Sequence, residues 1–452
     1  IAMGRQYHPQ ILREYGEYEE PRLRDYVNDI GQRLAAQSHR SDLVYRFTVL
    51  DSAEVNAFAL PGGYIYITRG LIGYMNSEAE LAAVLGHEIG HVTARHSVRQ
   101  QTASTAASLA YTLGSILVPE IGGNVGQNVY GVVSGALLSG YGREMELEAD
   151  GLGAEYLART GYDARAILDV LGTLKAQEQF ASQVAQAEGR EPQSYHGLFA
   201  SHPDNDTRLQ EVVGKATFLA PDAGTAAPDQ AAFRAATDGM VFGDSAKQGI
   251  RRGNRFYHAD MGFAVTFPEG WALKNLPDRL IAVAPQGKAS AQLTVEDINK
   301  RIPPEQFIRD RLGVKNLSGG EAIDAGDGDL PGYSGLIELN SRRGRTVGRL
   351  SVIYLDDKAF VLLGAPLPGS DASAAHAQLL ETARGFHRLT AAERKLAEPL
   401  RITWRQANKN LSYDELARDS RIPGYPEQEL RLINSDYPEG SLTRGEWYKT
   451  VQ

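Results

Sequence analysis

The period of the hydrophobic residues changes along the first seventy positions of the chain, and the change separates a helix from strands. A spacing near 3.6 residues is kept by Leu23, Tyr26, Val27, Ile30 and Leu34. This spacing predicts an amphipathic helix that packs over a core. The period then becomes two in residues 45–50, 54–59 and 64–68, which predicts short strands, the last two joined by a turn at 60–63.

A second helical pattern covers residues 80–92. Its apolar stripe consists of Leu81, Val84, Leu85 and Ile89. Ser77, followed three residues later by Glu80, has the form of a capping box, which predicts where this helix begins. The predicted helix carries the motif HExxH as His87, Glu88 and His91.

The spacing of HExxH is suited to metal-assisted hydrolysis. Two histidines four residues apart on a helix have Cβ atoms about 5–6 Å apart on one face. Their imidazoles can therefore reach one ion at about 2.0–2.1 Å each. Glu88 leans toward the same face, where it can take a proton from a metal-activated water. We expect His87 and His91 to be two ligands of one metal ion.

The third ligand does not come from the residues directly after the motif. The metzincin pattern would require Gly at position 94 and His at position 97, but the chain has Ala94 and Ser97. If the helix continued, His96 would lie about 140° around it from His91, off the metal face. The sequence therefore predicts a ligand from a separate segment.

Residues 144–150 offer that ligand. Glu146 and Asp150 are four apart on a predicted helix, so one carboxylate can bind the metal while the other accepts the second N–H of a ligand histidine. Glu144 and Glu148 have no aspartate at that offset. We expect Glu148 to contribute little.

HExxH followed by ExxAD resembles the HtpX/BepA-like gluzincin metallopeptidases. The resemblance implies that one Zn²⁺ per chain is held by His87, His91 and Glu146. It also implies that Glu88 is the general base and that Asp150 supports a ligand histidine from outside the coordination shell.

The same family carries an SHP…R element near its zinc, which this chain matches at His202 and Arg208. The resemblance implies that His202 stabilises the oxyanion or occupies the fourth zinc position at rest. Arg208 would anchor that loop or the substrate. The alternative is a surface-loop histidine and a salt-bridged arginine.

Two further segments have two interpretations each. Asn56, Ala57 and Phe58 form either a plain edge strand or, as the resemblance implies, a strand that pairs with extended substrate. Residues 102–140 are rich in Ala, Gly, Ser and Leu. They are interpreted either as core helices joined by a loop or as a lid over the zinc.

Composition narrows the class of protein. With 452 residues the chain is too long for one ordinary core, and a net charge of −9 argues against a nucleic-acid partner. It has no cysteine, so no disulfide. It opens at Ile1 without a targeting pattern and has no run of eighteen apolar residues, so we expect no transmembrane segment. Within the resembling family this favours the branch of the bacterial periplasm or cell envelope.

The predicted fold class is α+β, in four parts. Residues 1–215 form a mostly helical zinc metalloprotease domain with a small edge β-sheet. Residues 216–255 are a linker, and residues 256–392 form an α+β domain of unassigned role. In residues 393–452 the pattern predicts strand, helix, helix and strand, an order that faintly resembles the LysM glycan-binding module, although the usual Gly-Asp-Thr-Leu start is missing.

These observations predict a zinc-dependent endopeptidase that hydrolyses protein or peptide substrates in envelope protein quality control. The alternative is an autoinhibited or inactive protease that acts as a chaperone-like binding protein, with a peptidoglycan-associated C-terminal module. An intact Glu88 favours the enzyme, since a purely structural zinc site has no use for that carboxylate.

Overall fold

The computed structural model describes residues 2–103, 141–187, 229–298, 300–341, 344–367 and 369–452. It divides into two compact units. The described residues of the first unit come from Ile1–Tyr111, Val133–Gly243 and Leu400–Gln452, and those of the second from Asp244–Pro399. The predictions for residues 104–140, and those for His202 and Arg208, fall outside the described residues.

In the first unit, the described residues up to 187 form seven helices and a small sheet. Its helices are α1 (Ala2–Tyr15), α2 (Pro21–Ala36), α3 (Arg69–Tyr74), α4 (Glu78–Thr93), α5 (His96–Ala103), α6 (Arg143–Thr160) and α7 (Ala166–Ala187). Its strands are β1 (Arg46–Leu50), β2 (Ala57–Leu60) and β3 (Tyr64–Thr68). The predicted apolar face of α2 is confirmed, because Leu23, Val27, Ile30 and Leu34 are fully buried.

The three strands form a sheet in the order β1-β3-β2. β1 runs parallel to β3, and β2 runs antiparallel to β3. Among the described residues, β2 is therefore an edge strand. Ala57 and Ala59 belong to the main core together with residues of α4, whereas Phe58 and Leu60 pack with Ile11 of α1 on the other face of the sheet.

Helix α4 begins at the predicted cap. The Ser77 Oγ accepts a hydrogen bond from the Glu80 backbone N–H at 3.1 Å. The Glu80 carboxylate accepts from Ser77 Oγ at 3.0 Å and from the Asn76 N–H at 3.0 Å, one residue earlier than a standard capping box. These contacts fix the start of a helix that is buried from Glu78 to Val92.

Small residues bring α4 and α6 into backbone contact. A Cβ atom at Gly90 would lie 2.9 Å from the carbonyl oxygen of Ala149, and one at Gly153 would lie 3.0 Å from the backbone nitrogen of His87. Neither position has room for a side chain. The close approach allows a short carboxylate side chain on α6 to reach the histidines on α4.

The range predicted as a linker contains regular structure in its described part. Helix α8 (Gln230–Thr237) and strand β4 (Val241–Phe242) lie in the first unit, and strand β5 (Ile250–Arg252) lies in the second. Phe233 of α8 is fully buried in the main core of the first unit, which the Pro and Gly content of the preceding residues does not indicate.

The second unit contains the rest of the strands up to residue 399. They are β6 (Arg255–His258), β7 (Phe263–Thr266), β8 (Ala272–Leu276), β9 (Arg279–Val283), β10 (Ala289–Asp297), β11 (Ser318–Ala325), β12 (Leu330–Ser341), β13 (Gly344–Leu355), β14 (Lys358–Pro366) and β15 (His387–Arg388). Its helices are α9 (Pro304–Asp310), α10 (Ala372–Arg384) and α11 (Ala391–Leu396).

An antiparallel seven-stranded sheet in the order β11-β12-β13-β14-β10-β9-β8 forms the centre of this unit, beside a four-stranded sheet in the order β15-β7-β6-β5. Side chains of α10 pack into the core on one face of the large sheet, and side chains of α9 pack into the core on the other. The α+β class predicted for this region is confirmed. The structure does not assign it a role.

Residues 400–452 show the predicted order of elements, as β16 (Leu400–Gln406), α12 (Tyr413–Arg418), α13 (Pro426–Ile433) and β17 (Trp447–Val451). β16 pairs antiparallel with β17 on one side and with β4 on the other. Ile402, Ile433 and Tyr448 share one core with Leu71 and Ile72 of α3. The segment is thus packed into the unit that carries HExxH.

Lys449 of β17 anchors this packing. Its side chain is 1% exposed, and Nζ donates to the carbonyl oxygens of Gly73 at 2.7 Å and Met75 at 2.8 Å, at the C-terminal end of α3. Burial lowers the pKa of Lys449 to about 7, although the nearby Glu80 carboxylate acts in the opposite direction. Lys449 therefore links the C-terminal segment to the cap of α4.

We expect Lys449→Met to lower the free energy of unfolding by about 2–6 kcal/mol, because two buried carbonyl groups lose their donor at about 1–3 kcal/mol each. The folded pKa of Lys449, about 7, lies below its ordinary value of 10.5, so between these values the unfolded chain holds the proton more tightly. Raising the pH across this window should stabilise the wild type relative to the variant. Urea unfolding at pH 7 and pH 9 measures both effects.

The exposed Lys409 provides the control, since Lys409→Met removes an ammonium group from the same segment without touching α3. We expect it to change stability by less than about 0.5 kcal/mol. Equal effects of the two substitutions would show that the contacts of Lys449 do not stabilise the fold.

Candidate active site

The histidines of HExxH and the glutamate of α6 meet at one point. The Nε2 atoms of His87 and His91 are 2.9 Å apart. Glu146 lies opposite them, with Oε2 3.5 Å from His87 Nε2 and Oε1 3.5 Å from His91 Nε2. All three side chains are buried. The structure therefore brings together the three residues that the sequence predicted as ligands.

These distances fit a zinc ion. Two ligand atoms bound tetrahedrally at about 2.0–2.1 Å from one zinc lie about 3.3 Å from each other. The three separations of 2.9, 3.5 and 3.5 Å bracket that value. Two imidazoles and one carboxylate are also the donor types of open catalytic zinc sites. Among the described residues, this is the group of His, Asp and Glu side chains that could hold a metal ion.

Asp150 holds the ring of His87. Its Oδ1 lies 2.8 Å from His87 Nδ1, so the carboxylate accepts the Nδ1–H and leaves Nε2 directed toward Glu146. Burial acts to lower the pKa of His87, but the carboxylates of Asp150 and Glu146 outweigh it and raise the pKa to about 10. The surroundings of His87 therefore favour a positive charge on its ring.

Glu88 is 1% exposed and follows His87 on α4. Its charge acts on Tyr141, whose phenol pKa is raised mainly by burial and further by the carboxylates of Glu88 and Glu146. Tyr141 stacks on the His91 ring at 4.1 Å with an interplanar angle of 20°, and its hydroxyl lies 2.8 Å from Ser97 Oγ. Sequence reasoning missed Tyr141, because no motif surrounds it.

Comparison with known proteins agrees with this geometry. Residues 21–216 match the sequence profile of Peptidase family M48. Residues 21–216 form a peptidase family M48 domain. This confirms the resemblance inferred from HExxH and ExxAD.

The chain is similar to several proteases. It is 29% identical over 227 residues to the beta-barrel assembly-enhancing protease of Yersinia pestis, covering 49% of this chain and 44% of that protein. It is 34% identical over 190 residues to a putative beta-barrel assembly-enhancing protease of Vibrio cholerae, covering 40% and 39%. It is 35% identical over 144 residues to the mitochondrial metalloendopeptidase OMA1 of Arabidopsis thaliana, covering 31% and 28%. The chain thus spans less than half the length of these relatives.

His96 of the M48 domain lies closer to the site than the sequence predicted. Helix α4 ends at Thr93, and Arg95 adopts the left-handed conformation with φ of 57°, so the chain turns before α5 starts at His96. His96 lies outside the cluster of His87, His91 and Glu146, as expected, although α4 does not continue to it. The turn returns the ring to the site, with its Nδ1 2.8 Å from Nδ1 of His91.

The predicted substrate strand lies at the edge of the sheet in the M48 domain. Asn56 directly precedes β2 and is tied to the end of β3, where its carbonyl accepts from the Thr68 N–H at 3.0 Å. The side chains of Asn56, Ala57 and Phe58 are all buried. Any pairing of this strand with another extended chain would therefore run through its backbone and not through these side chains.

A pocket of about 270 Å³ opens beside His91, between the C-terminal end of β2 and the corner where α4 meets α5. Its apolar lining comes from Leu43, Leu60, Val92 and Val98. A side chain of a peptide lying along β2 would have room here, next to a predicted metal ligand.

Proposed function

We propose that the chain is a zinc-dependent endopeptidase that cleaves protein substrates, with His87, His91 and Glu146 as zinc ligands and Glu88 as general base. One observation carries the proposal. Three buried ligand groups from α4 and α6 lie at separations that fit zinc, and the buried carboxylate of Glu88 follows His87 on α4. The M48 domain and its metalloprotease relatives support it.

Each residue has a task in this mechanism. Zinc held by the three ligands supplies Lewis-acid catalysis and an activated water. Glu88 accepts a proton from the attacking water and returns it to the leaving amine. Asp150 keeps His87 in the tautomer that presents Nε2 to the site. Burial of the carboxylates strengthens their interactions with the reacting groups.

The donor set found among the described residues also fits a catalytic zinc site. Structural zinc sites are closed by four protein ligands, whereas catalytic sites keep one position for water or substrate. Among the described residues, three side chains form the cluster. A buried Glu88 costs desolvation free energy, which a catalytic role explains and a purely structural zinc does not.

Extended protein substrate would add to β2 by β-augmentation along Asn56, Ala57 and Phe58. Pairing through the backbone does not depend on the sequence of the substrate, while the pocket beside His91 would receive one of its side chains. This division suits a protease that acts on many unfolded chains.

The names of the bacterial relatives support a role in envelope protein quality control, in the periplasm or cell envelope of a bacterium. Within the described residues, none of the helices has both the length and the apolar character needed to cross a membrane. We propose that His202 stabilises the oxyanion or occupies the fourth zinc position, and that Arg208 anchors that loop or the substrate. The LysM-like character predicted for residues 393–452 has only the order of elements in its support.

Metal removal tests the proposal. We expect about one zinc per chain, and cleavage of casein that is lost in 1,10-phenanthroline and restored by added zinc, because the reaction needs the ion held by three protein ligands. Metal analysis and a fluorescent casein assay measure these quantities. Cleavage that persists in a chain freed of zinc would contradict the proposal.

A further inference from the structure

A chain of contacts leads outward from the second ligand histidine. Nε2 of His91 faces His87 and Glu146, so its Nδ1 points away from the cluster. That Nδ1 lies 2.8 Å from His96 Nδ1. On the far side of the ring, His96 Nε2 lies 3.1 Å from Glu148 Oε2. Arg99 donates to the same oxygen at 2.6 Å.

When the His96 ring is neutral, one arrangement of protons satisfies every contact in this chain of hydrogen bonds. A carboxylate only accepts hydrogen bonds, so His96 Nε2 carries the hydrogen that points to Glu148. The neutral His96 ring then has a lone pair on Nδ1, which accepts the Nδ1–H of His91. His91 is left with its Nε2 lone pair directed toward His87 and Glu146. The contacts therefore select the tautomer that a zinc ligand requires.

We propose that His96 is a positioning residue for His91, with Glu148 fixing His96 and Arg99 holding Glu148. The inference rests on the proposed function, since it takes His91 as a zinc ligand. It assigns tasks to three residues, His96, Glu148 and Arg99, and it reverses the expectation that Glu148 contributes little.

The two ligand histidines are thus supported in different ways. His87 meets a carboxylate directly, at 2.8 Å from Asp150. His91 is joined to its carboxylate through a second imidazole, and Tyr141 stacked on its face restricts the tilt of the ring. His96 is fully buried, whereas the side chains of Glu148 and Arg99 are 43% and 48% exposed. The outer end of the chain of contacts is therefore open to solvent.

The exposure of these side chains determines how we expect the variants to rank by zinc affinity. An exposed ion pair such as Arg99 with Glu148 contributes little to stability by itself. Its effect on the site passes through the buried His96. We therefore expect loss of the His96 acceptor to weaken zinc binding more than loss of the Glu148 carboxylate.

The experiment compares zinc affinity, by competition with a chromophoric chelator, and the visible spectrum of the Co²⁺-loaded protein. We expect His96→Phe, which keeps a ring but removes the acceptor, to weaken zinc binding about 10–100-fold and to shift the cobalt bands. His96→Asn places an oxygen where Nδ1 lies and should restore affinity to within about threefold. We expect Glu148→Ala to lower affinity by about tenfold. The matched control Glu144→Ala, from the exposed start of the same helix, should leave affinity and spectrum unchanged.

Asp150→Asn serves as the reference, because it disturbs the direct carboxylate partner of His87. Wild-type affinity and cobalt spectrum in both His96→Phe and Glu148→Ala would overturn the inference, as would equal losses in His96→Phe and His96→Asn. If circular dichroism shows that His96→Phe does not fold, the zinc affinity and cobalt spectrum of His96→Asn and Glu148→Ala are compared with those of the control Glu144→Ala instead. Failure of the proposed function has a different signature, since the wild type itself would then bind no zinc or cleave no substrate.

Discussion

Glu88→Gln is expected to abolish peptide cleavage while the protein stays folded and retains zinc. The substitution keeps the size of the side chain and every proposed ligand, but an amide cannot take a proton from the attacking water. General acid–base catalysis typically contributes about 10²–10⁴-fold, so kcat should fall by at least that range. Cleavage of a quenched fluorescent peptide, followed together with zinc content, measures the effect.

The control is Glu144→Gln, which makes the same chemical change at an exposed position of α6. It should leave kcat unchanged. Turnover of Glu88→Gln within tenfold of the wild type would exclude Glu88 as the base. If neither the wild type nor Glu88→Gln cleaves but both bind unfolded protein with equal affinity, the result would instead favour an inactive, chaperone-like protein.

Glu146→Ala is expected to remove zinc from the protein. This residue is 0% exposed and faces both ligand histidines, so its loss leaves two imidazoles to hold the ion. The fall in affinity should exceed the roughly 10–100-fold typical of residues outside the coordination shell. Metal analysis after gel filtration should find little zinc, and cleavage should be lost with it.

The three glutamates of residues 144–150 form an internal series for this test. Zinc affinity should fall most for Glu146→Ala, less for Glu148→Ala and not at all for Glu144→Ala. A larger loss in Glu148→Ala than in Glu146→Ala would show that the wrong carboxylate was chosen as the ligand.

The sequence alone identified the pairs of site residues that lie on one face of a single helix. His87 with His91, and Glu146 with Asp150, are four residues apart, and such pairs share a face wherever the helix lies. The same reasoning placed His96 off the metal face but missed its contact with His91, because it assumed that α4 continues. The helix is ended by Arg95 in the left-handed conformation, and without Gly or Asn at that position the sequence carries no sign of the turn.

The period of the hydrophobic residues predicted individual helices and strands but not which of them contact each other. The helices and strands expected from helical spacing or alternation before residue 93 are present, since burial of one face requires only local order. The parallel pairing of β1 with β3 could not be read from the sequence. Nor could the burial of Lys449 against α3, because that contact joins residues 374 and 376 positions apart in the chain.

The pairing of β4 with β16 has a consequence for the order of events during synthesis. Phe242 lies opposite Leu400, so the chain leaves the first unit and returns to it at neighbouring positions of one sheet. Residues 244–399 emerge from the ribosome before the strand that carries Lys449. The second unit can fold while the first unit still waits for β16 and β17, and the first unit is therefore completed only after residues 244–399 have left the ribosome.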